Sequence, residues 1–456
     1  MFEEFKDKNI LILGAGREGF SALKLLRKIF PRKRLTICDE KNLEKLDKEI
    51  QEIVRGDKNL EANFGKHYLD FPGNIDLIIK SPGIPRKKLG KISAQITSAT
   101  KIFFKYCKGT IIGITGTKGK STTSSLVYKI LKDNGFNVEL VGNIGKPAII
   151  YLDAKTEDKI FIYELSSFQL EDLRQSPHIG VILNIYEEHL DYHESFEDYK
   201  KSKVNITRWQ KPNDFLIYNF NADLKAVIIS QTKAQKIPFS ISEAINDGYS
   251  IENDWIVNAT DGKKEKIMSL DNINLIGKFN LNNVIASIAV TKIFGIENRK
   301  IEKSVKSFKP LEHRLQLVGT FRGITFYNDS IATNPGATIA AMDALGDNLQ
   351  TIILGGYERG LNFDNLATEL INSKVENTIL FPVTGKRIKE AILTQKPDCK
   401  IHFYDASNMS EAVALACSNT QEGKICLLSP ASPSFNMFKN YEDRGRQFAA
   451  EVNKLT

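Results

Sequence analysis

The chain has 456 residues, 42% of them hydrophobic and 26% charged, and a net charge of +8, so it has room for about three domains of about 150 residues each around large cores. The positive charge is mild and spread out, which suits small anionic substrates and, without a dense basic block, gives no grounds for a nucleic-acid partner. Five scattered cysteines, Cys38, Cys107, Cys399, Cys417 and Cys426, form no CxxC pair; this indicates neither a zinc site nor a disulfide framework, and makes a reducing cytoplasm the expected setting.

The N-terminal stretch MFEEFKDKNILILGAG has no basic region ahead of a cleavage site. No apolar run approaches the about 18 residues of a membrane span, so no membrane partner is expected. Short apolar runs instead read as strands at 9–13, 75–79, 111–115, 160–164, 180–184, 323–327, 351–354 and 425–428, with helical stretches between them. That alternation predicts an α/β fold built on mostly parallel sheets covered on both faces. Three blocks follow, with limits at 1–97, 98–310 and 311–456.

In the first block, Gly14-Ala15-Gly16-Arg17-Glu18-Gly19 fits G-x-G-x-x-G between a strand and the helical stretch SALKLLRKIF. Glycines there allow a tight turn and close approach of a pyrophosphate to a helix N-terminus. Asp39 ends the next strand, 20 residues after Gly19, where an acid can hold a ribose or base. Ser81-Pro82-Gly83-Ile84-Pro85 follows the strand IDLIIK, at the strand end where ligand loops gather. A plain Pro-Gly turn explains that stretch equally well. Alone, this block would point to an NAD enzyme.

The second block opens with GITGTKGKSTT at 113–123. The usual phosphate loop G-x-x-x-x-G-K-[ST] would put a glycine where Ile114 stands, so this is a variant. Gly116 and Gly119 free the backbone of Thr117 and Lys118 to point N–H groups at phosphate oxygens. Lys120 can reach the β- and γ-phosphates, and Ser121 or Thr122 can ligate Mg²⁺. Glu164 ends the strand of IFIYE, and His189 follows another strand in NIYEEHLDYH. Both stand where a metal ligand is wanted. Glu187, Glu188 and Asp191 compete with His189, and spacing does not rank them.

Taken together, TGTKGKST, GNIG (142–145), ELSSFQLE (164–171), N-x-x-x-x-H-L-D (184–191), FNLNN (279–283), EHR (312–314) and NDSIATNP (328–335) resemble the Mur ligases, the ATP-dependent amide-forming enzymes of peptidoglycan precursor synthesis. GAGREG with SPGIP, and SPASPSFNMFKNYEDRG at 429–445, resemble the branch that joins D-glutamate to UDP-N-acetylmuramoyl-L-alanine. The resemblance implies three domains: a Rossmann-like N-terminal domain for the UDP moiety, a central P-loop-type ATPase and a Rossmann-like C-terminal domain for the amino acid. It also implies a cytoplasmic enzyme, taken as a monomer, that uses ATP and Mg²⁺.

Residue roles follow from the same resemblance. Lys120 would hold the ATP phosphates, and Ser121, Glu164 and His189 would serve magnesium. Asn143 would contact the UDP substrate, with Gly14, Arg17, Glu18, Asp39, Ser81 and Gly83. Asn283 would lie near the adenine, and Arg314 and Asp329 would bind ATP. Lys203, in YKKSKVNIT, matches a lysine that the family carbamylates with CO₂; that reaction needs a neutral amine, so the site should depress its pKa. Thr333, Arg359, Ser434 and Tyr441 would contact the amino acid. Three positions depart from the family pattern: Ile331 replaces a lysine, Arg359 replaces another, and Tyr441 stands where phenylalanine is common. Arginine and lysine are not interchangeable, so the amino-acid pocket is where the chain is expected to differ.

Three other readings compete. One is a superfamily ligase for a different amino acid or a folate-type substrate, although GAGREG and SPGIP have no place in a folate enzyme. Another is an NAD-dependent oxidoreductase, which leaves the phosphate loop, Glu164 and His189 without a task. A non-catalytic nucleotide-binding module is the third, and the joint presence of Lys120, Glu164, His189 and Lys203 speaks against it.

Overall fold

The apolar runs pair as parallel strands in three sheets. In the computed structural model, which describes residues 2–455 apart from 72, 73, 91, 191, 223, 224 and 436, the first sheet is fully parallel. Its strands lie in the order Leu60–Phe64, Leu35–Asp39, Ile10–Leu13, Leu77–Lys80, Gln95–Thr97. Ile10–Leu13 is central, buried at every position, and chain order reverses beside it. Such a reversal opens a ligand crevice outside the carboxyl ends of the strands. The helix Arg17–Ile29 starts there and buries Phe20, Leu23, Leu25 and Leu26 in the core with Ile10, Ile12 and Ile37. Each such leucine contributes about 1.5–3 kcal/mol by leaving water.

The second sheet has nine strands. From one edge they run Val138–Gly142, Ile160–Glu164, Thr110–Thr115, Ile179–Ile182, Phe215–Asn219, Gln235–Phe239 and Gly248–Glu252, all parallel. Trp255–Thr260 and Lys263–Ser269 then close the other edge as an antiparallel meander. Register places Ile114 beside Glu164 and Thr115 beside Ile182, so three central strands end level with one another.

The third sheet runs Gln316–Phe321, Ile324–Asn328, Ile425–Leu428, Leu349–Gly356, Asn377–Val383, His402–Asp405. It is parallel except for the opening hairpin. The final helix, Tyr441–Asn453, buries Phe448 and Val452 in a cluster with Ile324 and Phe326.

By packing, the chain divides into a unit of Met1–Ile273 with Asn282–Ser307, which holds the first two sheets, and a unit of Asn274–Leu281 with Phe308–Thr456, which holds the third. Among the described residues, no helix is long and apolar enough to cross a membrane.

Candidate active site

Strand Thr110–Thr115 runs into the phosphate loop, and the helix Lys120–Asp133 leaves it. Gly119 is the N-cap at φ 86°, and a Cβ there would stand 2.2 Å from the Asn283 side-chain oxygen, so only glycine allows this turn. Asn283 is thereby packed against the loop, and its oxygen accepts from the Thr123 hydroxyl at 3.3 Å. No side chain caps the helix; its first N–H groups and its dipole form the kind of terminus that binds anions. Lys120 folds back, donating to the carbonyls of Gly116 at 2.8 Å and Thr117 at 3.0 Å. Ser121 is half-buried, while Thr122 is buried with its hydroxyl oxygen unbonded among the described residues.

The loop is tied to the segment after Ile179–Ile182. Thr117 N donates to Asn184 O at 2.9 Å and Lys118 N to Asn184 Oδ1 at 2.8 Å. The Asn184 amide returns a bond to Lys118 O at 3.1 Å. The Thr117 hydroxyl accepts from Tyr186 N at 2.9 Å and meets the Tyr199 hydroxyl at 2.9 Å. Lys118 pairs with Glu188 at 2.8 Å, and that ammonium holds the Glu188 carboxyl below its usual range against the opposing effect of burial. His189 sits at φ 61°, a left-handed conformation uncommon outside glycine, with its ring edge-on to Phe168. Among the described residues Glu187 makes no hydrogen bond or ion pair to the loop, and Asp191 lies outside the described residues.

Glu164 ends the neighbouring strand. It is 4% exposed, and its Oε2 is buried without a hydrogen-bond partner among the described residues. An orphaned carboxylate oxygen beside a phosphate loop is a hard ligand of the type that could hold magnesium, which would supply charge neutralisation there. No group of three or more His, Cys, Asp or Glu gathers as a ready-made metal cage among the described residues.

Lys203 lies on the helix Phe196–Val204, which Ser195 caps. It is 2% exposed, its ammonium lies over the Tyr199 ring, and it donates to Gly116 O at 2.9 Å. Burial, and then the neighbouring Lys120, drive its pKa well below the ordinary lysine range, although Glu188 and Glu164 oppose the shift. The phosphate loop, Glu164, the Asn184–His189 segment and Lys203 thus meet at the carboxyl ends of three adjacent strands.

Comparison with known proteins places this arrangement. Residues 114–291 match the Mur ligase middle domain and residues 313–432 the Mur ligase glutamate ligase domain. The UDP-N-acetylmuramoylalanine--D-glutamate ligase of Thermoanaerobacter sp. (strain X514) is 34% identical over 99% of both chains. Its counterpart in Caldicellulosiruptor bescii is 36% identical, again over 99% of both. The chain belongs to the Mur ligase family. Solved structures with the same fold include the UDP-N-acetylmuramate-alanine ligase MurC of Thermotoga maritima (18% identical, TM-score 0.62, covering 98% of this chain and 100% of that one). The MurF ligase of Thermotoga maritima in complex with ADP is also similar (16% identical, TM-score 0.60, covering 93% and 96%).

In this Mur ligase the crevice of the first sheet is built around Gly14. The turn is drawn in by Asp39, whose carboxylate accepts from Ala15 N at 2.7 Å and from Lys41 N at 2.8 Å. Ser81 closes the other side, donating from its hydroxyl to Gly14 O at 3.0 Å, and Gly83 is exposed in the turn beyond it. A Cβ on Gly19 would meet Gly14 O at 1.9 Å, so the helix and turn approach through a bare backbone. Arg17 and Glu18 face the central sheet's loops. Arg17 donates to the carbonyls of Gly142 at 2.9 Å and Gly145 at 2.7 Å, beside the exposed Asn143. Glu18 accepts from Gln169, the capping-box residue of ELSSFQLE. Burial raises the Glu18 pKa more than that bond and Arg17 lower it.

Sequence reasoning missed two residues here. Tyr192 donates to Pro82 O at 3.0 Å and to Glu171 at 3.1 Å, joining SPGIP to ELSSFQLE. His193 is 3% exposed and shares a 3.0 Å hydrogen bond with Ser167. Its spacing of four from His189 was visible, but its burial was not.

In the unit of the third sheet, Asp329 is 6% exposed and accepts from Leu315 N at 3.1 Å and from the Ser429 hydroxyl at 2.9 Å. Burial pushes its pKa up to about 7. Arg314 lies close enough to lower it, and the Arg314 Nε is buried without a hydrogen-bond partner among the described residues. Thr333 and Ile331 are half-buried, Ser434 is buried, Arg359 is exposed, and Tyr441 heads the last helix. Arg444, which sequence reading did not single out, is 0% exposed. It donates to the Ser330 hydroxyl at 3.0 Å, Ser330 O at 2.8 Å and Ser432 O at 3.0 Å, pinning NDSIATNP to SPASPSF. Burial lowers its pKa to about 9.

Proposed function

We propose that this Mur ligase joins D-glutamate to UDP-N-acetylmuramoyl-L-alanine with ATP, releasing ADP and phosphate, in cytoplasmic peptidoglycan precursor synthesis. A carboxylate is a poor electrophile. Transfer of the terminal phosphoryl group of ATP to the alanyl carboxylate converts one of its oxygens into a leaving group. The D-glutamate amine then attacks the acyl phosphate, losing a proton, and the tetrahedral intermediate collapses to amide and phosphate. The protein's share is to position the reactants and neutralise charge.

One observation carries the reaction class: an uncapped helix N-terminus, Lys120, the orphaned oxygen of Glu164 and the buried Lys203 surround one phosphate loop. The N–H groups of Thr117 and Lys118, expected to face the phosphates, are held by Asn184 instead; the cradle is left to Gly119 and the uncapped start of the helix Lys120–Asp133, with Lys120 following the phosphate charge. Asn283, Arg314 and Asp329 keep the ATP role that the family resemblance implies. Ser121, Glu164, His189 and a carbamate on Lys203 would hold Mg²⁺, which supplies charge neutralisation on the phosphates when bound. CO₂ reacts with the neutral amine, and the lowering of the Lys203 pKa by burial makes that form easier to reach.

The crevice at Gly14, with Asp39, Ser81, Gly83 and Asn143, takes the UDP substrate, Arg17 and Glu18 bracing it against the central loops. Thr333, Arg359, Ser434 and Tyr441 take the amino acid, and the domain limits are 1–97, 98–310 and 311–456. Full-length identity with relatives named for D-glutamate selects that amino acid. The test is phosphate release with Mg-ATP, UDP-N-acetylmuramoyl-L-alanine and a panel of amino acids. Release that requires both the UDP substrate and D-glutamate is expected. Release with another amino acid instead would move the specificity to Ile331 and Arg359, and no release despite ATP binding would overturn the ligase reading.

A further inference from the structure

A cavity of about 360 Å³ lies beside the first sheet, where Lys8 precedes the strand Ile10–Leu13 and Leu77 opens the strand Leu77–Lys80. Gly14 and Ser81 follow the opposite ends of those strands, so the cavity is separate from the substrate crevice. Its walls carry four cations, Lys8, Lys101, Lys105 and Arg174, against two carboxylates, Glu4 and Asp172. Both carboxylates are already engaged, Glu4 by Lys105 and Asp172 by Arg86 at 3.1 Å. Lys8 donates to the neutral amide of Gln95 at 2.8 Å. Among the described residues, no carboxylate forms an ion pair with Lys8, Lys101 or Arg174.

Lys101 and Lys105 stand one turn apart on the helix Ala99–Tyr106, a spacing at which like charges repel. Lys101 is half-buried, and burial holds its pKa below the usual lysine range. Arg86 and Arg174 push it further down, against Asp172 and Glu171, which pull it up. The positive groups converge from three elements, and the two carboxylates of the lining answer only part of their charge. Phe5, Leu77 and Ile102, all buried, give the cavity an apolar floor.

We propose that this cavity binds a small organic phosphate monoester, its phosphate between Lys101 and Arg174 and its carbon skeleton over Phe5 and Ile102. The volume is at the small end of the range that takes organic ligands, about 300–1,000 Å³. A monoester carries about −1.5 to −2 charge near neutral pH, which answers more than one unpaired cation, whereas a carboxylate answers one. Arginine supplies a donor fork and lysine a mobile point charge, a pairing that suits phosphate oxygens. Arg174 lies three residues past the end of ELSSFQLE, so the occupant would tie the helix after the first sheet to the segment that carries Glu164.

The test is titration calorimetry of the full chain with ribose 5-phosphate as the probe, and with inorganic phosphate and ribose as comparisons. Wild type and Lys120→Ala are both expected to bind ribose 5-phosphate, since the phosphate loop is not the site. Arg174 is exposed, so Arg174→Gln should fold normally; it should weaken binding by about tenfold, the loss expected for one charge-assisted contact. Lys101→Gln/Arg174→Gln should abolish it. Unchanged affinity in Arg174→Gln, or no saturable binding in wild type, would overturn the site. Inorganic phosphate binding as tightly as the monoester would overturn the role given to the apolar floor.

Discussion

Lys120 and Lys203 donate to the same oxygen, the carbonyl of Gly116, at 2.8 and 2.9 Å. Two ammonium groups on one acceptor repel, and the buried one yields. The depressed pKa of Lys203 means that folding releases its proton, so the stability linked to this group grows as pH rises toward the ordinary lysine range. Lys203→Met should therefore keep or raise the thermal midpoint while lowering turnover by at least about 100-fold, the loss typical of one charge-stabilising group. Short-chain carboxylic acids should partly restore Lys203→Ala by replacing the carbamate oxygens. Wild-type turnover in either variant would refute the carbamate.

Glu18 tests the joint between the first sheet and the central loops. Its raised folded-state pKa means that the native chain holds a proton which the unfolded chain releases above about 4.5. Stability from this group is thus lost as pH rises through the interval above that value. Glu18→Gln keeps the shape, removes the charge and should stabilise the protein near neutral pH by about 1–2 kcal/mol. Urea midpoints at about pH 5 and about pH 8 should differ less in the variant than in wild type.

The buried carboxyl of Asp329 follows the same sign, with its pKa near 7. Asp329→Asn can still accept from Leu315 N and can donate to the Ser429 hydroxyl. We expect a thermal midpoint at or above wild type together with a fall in turnover of at least about tenfold. A loss of stability equal to the loss of activity would reduce Asp329 to a structural residue.

Among the described residues Arg444 has no carboxylate partner; its charge is answered by three bonds to Ser330 and Ser432. Lysine cannot reproduce that fork. Arg444→Lys should cost about 3 kcal/mol and raise KM for D-glutamate several-fold, because the two loops it joins carry Thr333 and Ser434. KM for the UDP substrate should be unchanged, and this split separates a positioning role from general destabilisation.

Much of this was legible in the sequence because parallel strands read as apolar runs. Ile160–Glu164 and Ile425–Leu428 match the expected limits, and the other expected strands lie within two residues of theirs. The meander Gly248–Ser269 was not legible. Its outer strand alternates little and exposes Lys263, Lys264, Glu265 and Lys266 at a sheet edge, where charge protects against stray pairing but hides the strand. In the site, residue types gave the phosphate loop and Glu164. They did not give direction: Arg17 reads as a crevice residue but reaches Gly142 and Gly145. Nothing in the pattern around Arg444 marks it, and only the fold reveals that it is enclosed.

The bonds from Thr117 and Lys118 to Asn184 have a consequence for how the molecule breathes. A glycine-rich loop is usually among the first places where amide protons exchange with solvent. Here the Thr117 amide is held by the backbone carbonyl of Asn184, just past a central strand, and the Lys118 amide by the Asn184 side chain, so release of the first requires that the loop part from that segment of backbone. Exchange of the Thr117 amide should be nearer to that of Ile112 or Val181 than to that of a loop, with Lys118 faster. The nucleotide therefore meets a cradle that is already ordered before it arrives.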